Sequence, residues 1–274
     1  MTTRGRFGLT AGMALAAAAF LSPLLWLVSL SLKTGHAVYE FPPRFVPNEP
    51  SLSNYIFVLG KTQVPYYLAN SAKVAALSTL LTLILALPAA FVLSRERFPG
   101  RGPLIQGLML VQLVSPLILL VPIYGVVSAL GLLDSHAGLV LVYASVQLPL
   151  TVSVLRTFCD AMPKELFEAA ALDGATRLRL LTRVALPLLG PGLGAAAIFN
   201  LAAYWAEFSL SLVLLDSQQR FTVPVGLFNL QSGYETEWQI VAAAALLALL
   251  PVLAAFVALQ RYFVAGLTAG AVKG

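Results

Sequence analysis

The sequence predicts an all-α membrane protein with six transmembrane helices and both termini in the cytoplasm. Three observations carry that expectation. Of the 274 residues, 59% are apolar and 11% charged, with a mean hydropathy of +0.85. The apolar residues gather in long runs, and Lys and Arg are divided unevenly between the intervening segments. A soluble domain of this length needs far more polar surface. The net charge of +5 points to no nucleic-acid partner, because its meaning lies in where the cations fall.

A helix crosses a bilayer with roughly 20 apolar residues. Six runs reach that length, at about 8–32, 66–94, 104–128, 137–157, 190–214 and 239–262. Each is apolar on every face rather than alternating, which favours helices over barrel strands. The first follows Arg4 and Arg6 and is Ala-rich, but at about 25 residues it exceeds a signal-peptide core and is expected to remain a span. Between the first two runs, residues 33–65 hold Pro42, Pro43, Pro47, Pro50 and Pro65, too many for regular structure. A short interfacial helix is expected to start there at Leu52-Ser53-Asn54-Tyr55. Gly60-Lys61-Thr62 is not a phosphate-binding loop, because Tyr55 stands where that motif needs a glycine. Pro88, Pro116, Pro122, Pro149 and Pro251 fall inside the runs and predict kinks. Pro116 and Pro122 lie six residues apart, so the third span is expected to be the least regular.

Six spans put both termini on one side, and Lys and Arg placement decides which. One side carries twelve, among them Arg4, Arg6, Arg95, Arg97, Arg101, Arg156, Lys164, Arg177, Arg179 and Arg183, and the other carries four. The twelve mark the cytoplasm. Lys73 is embedded near the outer end of the second span and is expected to snorkel. Cys159 is the single cysteine, so no intrachain disulfide forms, and His36 and His136 stand apart, which leaves no metal ligand set. No nucleophile–base constellation suggests a catalytic residue.

The charged segment 158–189 separates the fourth and fifth spans. Pro163 suits a helix first turn, and Lys164 and Glu168 sit at i,i+4. Asp173-Gly174 breaks the helix, glycine supplying a left-handed cap without a Cβ penalty. Thr176 caps a second helix with Leu178, Leu181 and Ala185 inward and Arg177, Arg179 and Arg183 outward. Ala169, Ala170, Ala171 and Ala175 keep the surface low. On these residues alone, a hairpin lying on anionic headgroups and a docking arm for a soluble partner both remain open.

Glu168-Ala-Ala-Ala-Leu-Asp-Gly-Ala175, followed by Leu186-Pro187 and Pro191, resembles the EAA loop of permease subunits of binding-protein-dependent ABC importers. The resemblance implies the type I importer permease fold and a coupling helix seated in a cleft of a cytoplasmic ATPase subunit. Glu168, Ala169, Ala170, Asp173, Gly174, Ala175 and Pro187 are then contact and hinge positions, with Leu181 standing where relatives often carry an aromatic anchor. The tail from Gln260 to Gly274 resembles the maltose-type carbohydrate branch. It implies that Gly266, Leu267, Thr268 and Gly270 reach the ATPase, although Ala265 replaces a basic residue common there. Asn70-Ser71 and Trp205-Ala-Glu-Phe208 resemble the same branch, with Ala206 in place of its usual Asn.

The implied function is half of the translocation path for an oligosaccharide or a related polyol. The implied partners are a second, homologous permease, two ATPase copies, an extracytoplasmic binding protein and membrane lipids, in a bacterial cytoplasmic membrane. ATP and Mg would sit on the ATPase, and this chain would bind no cofactor. Asn70, Asn200, Tyr204, Trp205 and Glu207 are the candidates for a saccharide path, since hydroxyls need acceptors and sugar faces need aromatic surface. Glu207 lies about 17 residues into the fifth span, and intramembrane carboxylates usually face a cavity or a partner. The outer loop 215–238, with Asp216, Arg220, Glu235 and Glu237, is the candidate contact for the binding protein. An ion-gradient transporter is the alternative, but it calls for paired ionisable groups at mid-membrane and often an internal repeat.

Overall fold

A computed structural model describes the backbone over residues 3–231 and 237–271, and side chains over 12–13, 15–35, 37–231 and 237–258. The described residues form helices and turns, with no strand among them. In chain order they are α1 (Thr3–Ser31), α2 (Ser53–Lys61), α3 (Val64–Arg95), α4 (Arg101–Val111), α5 (Leu120–Ala129), α6 (His136–Asp160) and α7 (Lys164–Leu172). Then come α8 (Arg177–Leu188), α9 (Gly190–Ala206), α10 (Ser209–Leu214), α11 (Val223–Leu230) and α12 (Trp238–Ala271). Three of these, α3, α6 and the Trp238–Ala258 part of α12, are each long and apolar enough to cross a membrane by themselves.

The chain divides into two compact units, Met1–Pro65 with Gly226–Leu250, and Tyr66–Val225 with Pro251–Gly274. In the first, α2 docks on the end of α1 through polar groups. Asn54 Nδ2 donates to the carbonyls of Ser31 and Lys33, each at 2.8 Å, and Ser31 Oγ bonds Tyr55 Oη at 2.7 Å. The buried Lys33 ammonium lies 4.8 Å from the centre of the Trp26 ring, a cation–π contact that compensates its desolvation.

The second unit has two apolar cores spaced along α3, α6 and α9. One gathers Val74, Leu139, Tyr143, Tyr204 and Leu214, and the other Ala86, Phe91, Leu155, Phe167, Ala185 and Leu189. Helices approach closely because small residues face the contact, as membrane helix packing requires. A Cβ on Gly192 would lie 2.7 Å from Cγ of Phe158, so only glycine lets α9 reach α6 there.

Two expected spans are interrupted. The run at 104–128 is α4 and α5, separated by turns over 112–119. Pro116 lies in that break, where its missing N–H costs no helical bond, and Pro122 occupies the first turn of α5, where the N–H has no intrahelical partner. The run at 190–214 breaks after Ala206 and resumes at Ser209.

Candidate functional site

The hinge in the charged loop is built locally. Pro163 immediately precedes α7 with φ −57° and ψ 133°, and the helix ends at Asp173. Gly174 has φ +79°, Ala175 N donates to Ala170 O at 3.0 Å, and Gly174 N donates to Ala171 O at 3.0 Å. That 6→1 and 5→2 pair is a Schellman termination and needs a residue tolerant of positive φ. Thr176 then caps α8, its Oγ1 accepting from Arg179 N at 3.4 Å.

Tertiary contacts tie this arm to the spans. Phe167, the buried residue of α7, lies 5.8 Å from the Phe91 ring of α3, and the Arg95 guanidinium sits 4.2 Å over its face. Arg95 Nη2 also donates to the carbonyls of Cys159 (2.5 Å) and Met162 (3.0 Å) at the end of α6. Ser94 Oγ donates to Asp160 Oδ1 at 2.6 Å, and Arg177 pairs with Glu96 at 3.3 Å. One arginine thus joins the end of α3, the end of α6 and α7.

Glu168, Ala169, Asp173, Gly174 and Pro187 are exposed, Ala170 and Ala175 half-buried, and Leu181 packs partly against the apolar core. Leu178, expected inward, is 70% exposed, whereas Leu181 and Ala185 face the core as expected, joined there by Leu180 and Val184. The cause is a wider π turn over Leu180–Ala185, which shifts the phase that a 3.6-residue period assigns. Leu172, at 90% exposure, joins Leu178 as an uncovered apolar group on the arm. Lys164 and Glu168 form no ion pair; the pairs among the described residues are Arg44–Glu40, Arg156–Asp160, Arg177–Glu96 and Arg220–Asp134.

Of the path candidates, Glu207 sits in the break between α9 and α10. Its Oε1 accepts from Leu210 N (2.8 Å), and its Oε2 from Tyr143 Oη (2.7 Å) and Ser211 N (3.1 Å). The carboxylate therefore caps α10 from within the span. Tyr143 stacks on Tyr204 at 5.3 Å, with ring planes 8° apart, and Tyr204 Oη bonds Thr82 Oγ1 of α3 at 2.7 Å. Asn200 is buried, with Oδ1 accepting from Thr151 Oγ1 at 3.1 Å and Nδ2 unpaired. Ser78 Oγ and Thr79 Oγ1 are likewise buried without a partner. Trp205 lines an apolar groove of about 200 Å³ with Ala72, Leu201, Ala202 and Phe256. Asn70 is elsewhere, donating to the carbonyls of Gln219 (2.8 Å) and Phe221 (3.1 Å). Tyr143, Thr82 and Thr151 escaped the sequence reading, since a lone hydroxyl in an apolar run has no pattern of its own.

The loop after α10 is held by Asp134, a residue in the left-handed region with φ +49°. Its carboxylate accepts from Asp216 N and Ser217 N, each at 3.0 Å, and from Ser217 Oγ (2.5 Å), and pairs with Arg220 at 3.2 Å. Burial works against its ionisation. The bonds from Ser217 and Asp216 and the charge of Arg220 outweigh that and hold the carboxyl below the usual Asp range. Glu235 and the side chains of Gly266, Leu267, Thr268 and Gly270 lie outside the described residues. Among those described, no three His, Cys, Asp or Glu side chains converge as a metal would require.

The described residues thus form a helical protein in which the membrane-length apolar helices α3 and α6 are tied to one hinged arm. The chain belongs to the family of binding-protein-dependent transport system inner membrane components, whose family model matches residues 75–269. It is 37% identical over 253 residues to the diacetylchitobiose uptake system permease protein DasC of Streptomyces coelicolor, covering 92% of this chain and 91% of that one. It is 35% identical to the sulfoquinovosyl glycerol transport system permease protein SmoH of Agrobacterium fabrum, over 93% and 89% of the two chains. The trehalose transport system permease protein SugB of Mycobacterium tuberculosis is 33% identical over 93% of each. A bacterial ABC transporter involved in import of the polysaccharide alginate has the same fold, with a TM-score of 0.80 at 24% identity over 96% of this chain and 99% of that one. The protein is thus an inner-membrane permease subunit of an ABC importer, a transport component and not an enzyme.

Proposed function

We propose that this chain forms half of the translocation path of a sugar importer and is driven through α7. The observation that carries the proposal is the Arg95–Phe167 junction, which makes the Gly174-hinged arm mechanically continuous with α3 and α6. ATP-driven closure of an ATPase dimer, with ATP and Mg held there, would displace Glu168, Ala169, Ala170, Asp173 and Ala175. Arg95 and Phe167 would pass the displacement to α3 and α6. Such coupling requires that the arm's contacts differ between the two ATPase states, since equal contacts shift no equilibrium.

The substrate class rests on the relatives, whose names carry diacetylchitobiose, sulfoquinovosyl glycerol and trehalose. In this reading Asn200 and Tyr204 supply polar groups and Trp205 a stacking face, while Glu207 and Asn70, already engaged by their own chain, hold the path in shape. The other wall belongs to a second permease. Six spans with cytoplasmic termini fit the division of Lys and Arg, with α4–α5 and α9–α10 each serving as one broken span. Leu181 and Pro187 support the arm, the tail at Gly266, Leu267, Thr268 and Gly270 reaches the ATPase, and the loop at 215–238 meets the binding protein.

Replacing Gly174 with Leu tests the reading, because φ +79° there strains any side chain although nothing lies within 4 Å. ATPase co-purification and sugar uptake should be lost while membrane insertion is kept. Normal uptake by the variant would overturn the proposal.

A further inference from the structure

Between the α3–α4 turn and α7 lies a cavity of about 550 Å³, lined by Ser94, Arg95, Arg97 and Arg101 on one side and by Asp160, Lys164, Phe167, Glu168 and Ala171 on the other. Its charges are unequally engaged. Arg95 is committed to two carbonyls and the Phe167 face, and Asp160 to Ser94 and to Arg156, which lies outside the lining. Arg101 spends Nε on Leu93 O at 2.8 Å. Among the described residues, no ion pair or hydrogen bond engages the side chains of Arg97, Lys164 or Glu168. With Asp160 neutralised by Arg156, four cations face one carboxylate, and a negative group is what the cavity lacks. Close by in sequence, on α3, the α3–α4 turn and α4, Val92, Phe98 and Leu104 are each more than a third exposed.

We propose that this cavity, whose lining includes the Glu168 expected to contact the ATPase, binds a phosphate-bearing anion. Arginine and lysine lining one cavity suit phosphate oxygens, with Arg101 offering its remaining guanidinium edge and Lys164 a point charge. The cavity stands where the apolar run of α3 ends in charge, and the neighbouring apolar side chains favour a phospholipid headgroup whose tails lie along α3 and α4. The inference rests on the proposed cytoplasmic position of this turn.

The test uses the assembled transporter with its ATPase. Native mass spectrometry would count retained phosphatidylglycerol and phosphatidylcholine for the wild type and for Arg97→Gln/Lys164→Gln, and a parallel arm would titrate inorganic phosphate against the retained lipid. The wild type should retain phosphatidylglycerol over phosphatidylcholine, and the double variant should bind it roughly thirtyfold more weakly, as loss of two headgroup cations implies. Displacement of the lipid by millimolar phosphate in the wild type alone would make free phosphate an occupant of the same site. Equal retention of both lipids, together with phosphate titrations alike in wild type and variant, overturns the proposal. So does loss of the ATPase from the variant at unchanged lipid retention, which would assign the cations to that subunit. The topological premise is read separately: an impermeant maleimide should label Gly102→Cys, at a position with open space around it, only from the cytoplasmic side.

Discussion

At the scale of single residues, Glu207 shows how position decides chemistry. A carboxylate in an apolar span suggests a ligand, yet this one accepts three bonds from its own chain and terminates a helix break. Tyr143→Phe removes one donor to a charged acceptor and should destabilise the protein by about 1.5–3 kcal/mol. Unfolding in mixed micelles would measure this, and an unchanged midpoint would refute the capping role. Asp134 makes a prediction of opposite character. Its folded-state pKa is depressed, so its contribution is complete above the ordinary Asp pKa and disappears as pH falls through the lower folded value. Protection factors of the Asp216 and Ser217 amides, taken against intrinsic rates at each pH, should be high near neutrality and fall only in strong acid. Asp134→Asn should show low protection factors at both pH values; a variant still protected at neutrality would exclude the latch.

At the scale of elements, the Arg95–Phe167 junction separates binding of the ATPase from transmission of its motion. Phe167→Ala empties a buried position on α7 while leaving the exposed face unaltered. ATPase co-purification should persist, and uptake should drop at least about tenfold, the penalty that slight misplacement of a working geometry brings. Intact uptake would show that force travels by another route. Much of this arm was legible in the sequence because its determinants are local: Gly174 announces a positive φ and Thr176 a cap. The junction was not, because Arg95 and Phe167 are 72 positions apart and neither belongs to a local motif. The breaks at 112–119 and after Ala206 were hidden for another reason. Apolar composition continues straight through them, and only Pro116 and Pro122 hinted at the first. Leu178 was misassigned because a π turn has no signature in hydrophobic periodicity.

At the scale of the whole molecule, the account is of a permease that supplies a path and borrows its energy. The relatives are named as permease proteins of uptake systems, which move a substrate rather than hydrolyse ATP. Among the described residues Glu207 caps α10 and forms no ion pair, whereas ion coupling usually calls for paired ionisable groups within the membrane. The most direct measurement of the central claim is sugar uptake into proteoliposomes holding both permeases, with binding protein outside and ATPase on the inner face. The account predicts uptake with enclosed ATP, none with enclosed ADP, and none when the ATPase is omitted. Uptake driven by an imposed ion gradient in vesicles lacking the ATPase would contradict it.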